Sequence, residues 1–69
     1  MRPISLRENR KNYHRAKLIS AARSEFLRKG VHKTDVTEIA RTAGLSRATF
    51  YKYFPSKEAL VYLISAEIA

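Results

Sequence analysis

The sequence has no cysteine, only two glycines and two prolines, and few acidic residues, six Asp and Glu in 69. Without cysteine, disulfide staples, thiolate zinc sites and cysteine nucleophiles are excluded, and the redox compartment cannot be read from the chain. Long apolar runs are missing too: the longest, Ala59 to Ile64, is far short of the about twenty residues that a membrane span requires. The N-terminus is Arg-rich, but no apolar segment follows it as in a secretory signal. A soluble, cytoplasmic protein is therefore expected. No segment alternates as a strand would, and there is no internal repeat or low-complexity tract. The length, about half that of a usual domain, leaves no interior for a deep substrate cavity. The two histidines, His14 and His32, lie apart with no ligand set around either, and the glutamates are scattered over separate helical segments. Neither a metal site, nor a cofactor, nor a paired-carboxylate active site is expected, and the chain does not read as an enzyme.

What is present is positive charge: 14 Lys and Arg against six acids give a net charge of +8. Such an excess favours polyanions, because neutralising phosphates with Lys and Arg releases condensed counterions; an anionic membrane surface would attract it as well.

Residues 1–12 carry Arg2, Arg7, Arg10 and Lys11 against Glu8, with Pro3 and almost no apolar periodicity. They read as a flexible basic arm, either a solvated tail or a segment that follows phosphates or enters a minor groove. From Tyr13 to Lys29 the spacing of Ala16, Ile19, Ala22 and Phe26 predicts an amphipathic helix, which Gly30 ends as a left-handed C-terminal residue. After a loop over 31–34, Asp35 is an N-cap and Glu38 completes a capping-box spacing. Val36, Ile39, Ala40 and Ala43 form the apolar stripe of the short helix that follows, and Gly44 stops it. Ser46 caps a second short helix, Arg47 to Phe54; Pro55 blocks its continuation, and from Lys57 onward a further helix turns Leu60, Leu63 and Ile64 inward. The expected fold is all-α: a three-helix, homeodomain-like helix-turn-helix bundle over 13–69, with the helix-turn-helix at about 35–54 and the start of a fourth helix.

Along Arg47 to Phe54, Phe50 and Phe54 lie one above the other and mark the core side. Lys52 then points away, with Ala48 and Thr49 near it and Tyr51 and Tyr53 on the flanks. That outer face suits a major groove. Ala48 allows close approach and can meet a thymine methyl, Thr49 and the tyrosine hydroxyls can bond phosphates, and Arg47 can contact guanine with both arms. The helix N-terminus adds its own positive end, in part satisfied by Ser46.

The stretch from Lys33 to Leu60, KTDVTEIARTAGLSRATFYKYFPSKEAL, resembles the N-terminal DNA-binding domain of the TetR family of transcriptional regulators. Phe26 and Gly30, Ile39 and Ala40, the turn Ala43-Gly44-Leu45-Ser46, Thr49-Phe50-Tyr51, and Phe54 followed by Ser56-Lys57-Glu58 match in register. The resemblance implies that Thr37 approaches base or backbone, that Arg47 and Ala48 face bases, and that Thr49, Tyr51, Tyr53 and Lys57 contact phosphates or groove walls. Thr34 is expected to hold the backbone with them, and Ser46 and Lys52 complete the DNA-binding set. A cation at Lys57 opposes the dipole of its own helix and so calls for a partner such as an external phosphate. The first helix contributes at most its first turn, through His14 and Arg15. Two departures stand out: the family often has glycine where Ala48 stands, and Thr or Ser where Asp35 stands.

The resemblance further implies double-stranded DNA with an inverted-repeat operator as partner and a homodimer, most often a repressor, in a longer parent. It also implies a small-molecule effector bound by a second domain for which these residues do not provide. The competing readings are a basic helical module that binds RNA or a protein, and a membrane-active peptide; the latter should lack the capped turns seen here.

Overall fold

The computed structural model describes the backbone of residues 6–68 and the side chains of residues 11–65. Four helices follow one another: α1 (Leu6–Lys29), α2 (Val36–Ala43), α3 (Arg47–Tyr53) and α4 (Lys57–Ile68). α2 lies against α1, α3 packs on α2, and α4 returns onto α1. No helix among the described residues is long and apolar enough to cross a membrane.

α1 begins at Leu6, earlier than the pattern suggested, so residues 6–12 of the expected arm are helical. The segment LRENRKN holds neither proline nor glycine and is rich in good helix formers, so it continues the helix without an apolar stripe to announce it. The remainder of the arm lies outside the described residues. The buried face of α1 is also rotated from the expected stripe. Leu18, Ala21, Ala22 and Glu25 are buried, Ile19 and Phe26 flank them, and Ala16 is exposed.

The helix ends are where sequence and structure agree most closely. Gly30 adopts φ +88° and its N–H donates to Phe26 O at 2.8 Å, closing α1 with a left-handed residue. Gly44, at φ 76°, donates to Arg41 O at 2.9 Å while Leu45 N–H donates to Ala40 O at 2.8 Å; this double closure is the Schellman arrangement. A Cβ at either glycine would meet nothing within 4 Å, so the requirement is for the backbone conformation and not for space. At the start of α2 the Asp35 N–H donates to Glu38 Oε1 at 3.4 Å. Phe54 is extended, at φ −138°, because a residue preceding proline is pushed out of the helical region; α3 therefore ends at Tyr53.

Leu18, Ala21, Ala22, Val36, Ile39, Ala40, Ala43, Phe50, Phe54, Leu60 and Ile64 form the core. Three polar groups fix how α1, α2 and α4 meet. Glu25, buried on α1, accepts from Thr42 Oγ1 at 2.9 Å and from Arg28, which ties α1 to the end of α2. Thr34, 1% exposed, donates its hydroxyl to Gly30 O at 2.8 Å, with Glu25 O as a weaker second acceptor at 3.3 Å, which ties the loop back onto the end of α1. Lys57 Nζ donates to Thr34 O at 2.7 Å, Val31 O at 2.8 Å and, weakly, His32 O at 3.5 Å. The cation at the start of α4 is thus held by carbonyls of the α1–α2 loop, which supply the negative field that its own helix dipole does not.

Two carboxyls titrate below their ordinary range. Glu25 is lowered first by the Thr42 hydroxyl and then by Arg28, against an opposing effect of burial. Glu38 is lowered first by Lys29 and then by the Asp35 N–H. A depressed carboxyl contributes stability that is fully present above the ordinary carboxylate range and lost as pH falls through the lower, folded-state value. The melting temperature should therefore hold between about pH 7 and 5 and decline below about pH 4. Thr42→Val lets Glu25 titrate closer to its ordinary range, so it should lower stability near neutral pH and shrink the loss seen on acidification; an acid loss of unchanged size would contradict the role given to the Thr42 hydroxyl. Lys57→Met should lower stability by about 1–2 kcal/mol by leaving loop carbonyls unpaired, as measured by urea unfolding, and an unchanged midpoint would contradict the clamp.

Candidate nucleic-acid interface

The surface with the properties expected of a nucleic-acid contact is the outer side of α2-turn-α3. It follows from how α3 is anchored. Phe50 is fully buried and Phe54 nearly so, their rings 5.8 Å apart, and this pins one side of the helix to the core. Ser46 fixes the start: its Oγ accepts from Thr49 N–H at 3.1 Å and lies 2.9 Å from Thr49 Oγ1. The side opposite Phe50 is then determined by the helical period. Ala48 and Lys52 are exposed on it; Arg47 and Tyr51 are exposed along one flank, and Thr49 and Tyr53 are half-buried along the other.

No acidic residue occurs between Asp35 and Glu58 except Glu38, and Glu38 is taken by Lys29. The outer face of α3 is accordingly cationic without a compensating anion. The Arg47 guanidinium sits 5.4 Å from the centroid of the Tyr51 ring. The Tyr51 ring meets Phe50 edge-on at 5.3 Å and 78°. A buried ring thus supports an exposed ring, and the exposed ring supports the arginine, which restricts Arg47 before any partner arrives.

Of the ten residues expected to form the site, Ser46, Arg47, Ala48, Thr49, Tyr51, Lys52 and Tyr53 are brought together on or beside this face. Thr37 lies half-buried on the first turn of α2. The other two stand apart. Thr34 is buried with its hydroxyl committed to α1 carbonyls, so it braces the loop and cannot reach a ligand. The half-buried Lys57 ammonium donates to carbonyls of the same loop, partners that the sequence does not indicate. Both residues hold the α1–α2 loop in place behind α2.

One residue near the site was not expected to contribute through structure. His14 Nδ1 lies 3.3 Å from Tyr53 Oη, with the two rings edge-on at 6.0 Å and 77°. The neighbouring Arg15 guanidinium sits 5.5 Å from the Phe54 ring centroid. The first half of α1 therefore buttresses α3. Nothing in local spacing indicates this contact, which joins residues 39 apart. Among the described residues no group of three or more His, Cys, Asp or Glu is placed to hold a metal ion.

Residues 18–62 match the family model described as bacterial regulatory proteins, tetR family. Over 46 residues the chain is 46% identical to the uncharacterized HTH-type transcriptional regulator YdgC of Bacillus subtilis, a match that covers 67% of this chain and 24% of that protein. Over 51 residues it is 41% identical to the HTH-type transcriptional regulator RutR of Escherichia coli, covering 74% of this chain and 24% of RutR. With YuxN of Bacillus subtilis, also an uncharacterized HTH-type transcriptional regulator, it shares 48% identity over 44 residues, 64% of this chain and 15% of that protein. The matched segment thus spans about a quarter or less of the length of these relatives. No solved structure matches. With the family model covering most of the helical bundle, including both helices of the helix-turn-helix and the turn between them, the chain belongs to the tetR family of bacterial regulatory proteins.

Proposed function

We propose that this chain is the DNA-binding head of a transcriptional regulator and that α3 reads duplex DNA in the major groove. The observation that carries the proposal is the outer face of α3: Arg47, Ala48 and Lys52 exposed together without an acid, on a helix locked from behind by Phe50. Arg47 is proposed to read a base, since its planar fork matches the two acceptors of guanine and Tyr51 holds it in place. Ala48 allows close approach to a base edge. Ser46, Thr49, Tyr51, Lys52 and Tyr53 are proposed to hold phosphates on either side, with Thr37 at the start of α2 adding a further contact. The names of the relatives, all HTH-type transcriptional regulators, support the assignment to regulation.

In the longer regulator the family suggests a homodimer that sets two such heads on an inverted repeat, most often to repress, with an effector bound by a further domain. Two linked heads gain affinity without new contacts, so the single head should bind weakly. A basic module that binds RNA is the competing reading. It is disfavoured by a reading helix that is small and polar on its outer face, which suits an open major groove; the major groove of an RNA helix is too deep and narrow to admit it.

Selection of bound sequences from a random duplex pool tests the proposal. Wild type should enrich a short half-site, and Arg47→Ala should lose preference at one position, worth about 1–3 kcal/mol, while retaining general affinity. Lys52→Ala should weaken all duplexes alike and reduce by about one a salt slope of roughly −4 to −5. No enrichment by wild type, or preferential retention of structured RNA, would overturn the proposal.

A further inference from the structure

The contact between His14 and Tyr53 has a chemical asymmetry. A phenol hydroxyl carries one proton, and a phosphate oxygen can only accept. For Tyr53 to bind a phosphate, its proton must point toward the DNA. His14 Nδ1 lies 3.3 Å from the same hydroxyl. In the neutral ring Nδ1 is an acceptor in one tautomer, taking the Tyr53 proton, and a donor in the other; the imidazolium always donates from Nδ1 to the hydroxyl oxygen, so protonation removes the tautomer that turns the hydroxyl's lone pairs outward. Both side chains are half-buried, so the pair is held in place yet remains open to solvent on one side.

Among the described residues, no anion lies against the pair. On α1 the nearby ionisable groups are Lys11, Tyr13, Arg15 and Lys17; the Tyr13 ring lies 6.2 Å from the imidazole, Lys17 lies over Tyr13 and Arg15 over Phe54. α3 contributes Tyr53 itself and Lys52. The ionisable side chains described on α4 are Lys57, Glu58 and Tyr62, of which Lys57 is bound to the α1–α2 loop. No carboxylate is recorded against the imidazole among the described residues. A phosphate bound at Tyr53 would supply a negative charge beside the imidazole that favours its protonated form.

We propose that His14 is a positioning residue for DNA binding: it sets the direction of the Tyr53 hydroxyl proton, so that phosphate binding at Tyr53 and uptake of one proton at His14 strengthen each other. The proposal rests on reading Tyr53 as a backbone contact. The coupling is reciprocal, as any linkage between two bound species must be: lower pH tightens DNA binding, and DNA raises the basicity of His14.

The test measures the dissociation constant of a short duplex at constant salt at about pH 5.5 and about pH 8, with every protein carrying His32→Asn so that His14 is the histidine observed. The low-pH advantage with His14 and Tyr53 intact should exceed that in Tyr53→Phe by about fivefold, the worth of one hydrogen bond. His14→Phe should bind with little pH dependence. Loss of affinity in Tyr53→Phe by one and the same factor at both pH values would leave Tyr53 as a phosphate contact and overturn the coupling. Unchanged affinity in Tyr53→Phe at both pH values would instead remove Tyr53 from the backbone contacts, and the proposal with it. NMR titration of the His14 ring supplies a readout that does not depend on a variant at position 14: its midpoint should rise when the duplex is added, by more with Tyr53 than with Phe there, and equal rises would overturn the coupling.

Discussion

Phe50 is buried completely in the middle of a helix of seven residues. A helix that short has no stability of its own in water, where about 12–15 residues are needed for even marginal helicity. Burying a phenylalanine side chain supplies roughly 1.5–3 kcal/mol, and Phe54 adds to it from the C-cap. α3 exists because these two rings are held by α1, α2 and α4. The same constraint fixes its rotation, and with it which residues face outward. Ala48 and Lys52 have no freedom to choose another side.

The polar contacts work on the other end of the problem, the placement of α2 and the turn. Glu25 with Thr42 links α1 to the end of α2, Lys29 with Glu38 links α1 to its beginning, and Thr34 and Lys57 hold the loop between them. Charge is divided accordingly. Part of the excess of Lys and Arg is spent inside the fold, on loop carbonyls and buried carboxylates. Another part, Arg15 and Arg47, is parked on aromatic rings beside the recognition helix. On the proposed reading, the net charge gives attraction to a polyanion in general, while the shape and chemistry of one short helix face carry selectivity.

Much of this was legible in the residues, and the exceptions share a cause. α2 could be read entirely, because four apolar residues at helical spacing lie between a capping box and a glycine, all local signals. The two left-handed glycines and the Ser46 cap were legible for the same reason. Thr34 was misread because a hydroxyl in a loop looks available until Gly30 turns the chain back over it. The clamp formed by Lys57 was not legible because its partners are main-chain carbonyls 23 to 26 residues away, which leave no trace in side-chain pattern. Glu25 sits on a buried face that only the rotation of α1 defines. The start of α1 was missed because a polar helix has no stripe. Pairs such as His14 and Tyr53 are set by tertiary packing alone, and no spacing rule finds them.

The claim on which the account depends is that α3 presents its outer face to duplex DNA. Backbone amide shifts followed by NMR during titration with a duplex test it most directly, because every residue reports at once. The account predicts that the largest changes fall on 46–53 and the first turn of α2, with smaller changes in the first half of α1 and almost none in the second half of α4. Changes concentrated on α4, or spread evenly over α1 with α3 unmoved, would contradict it.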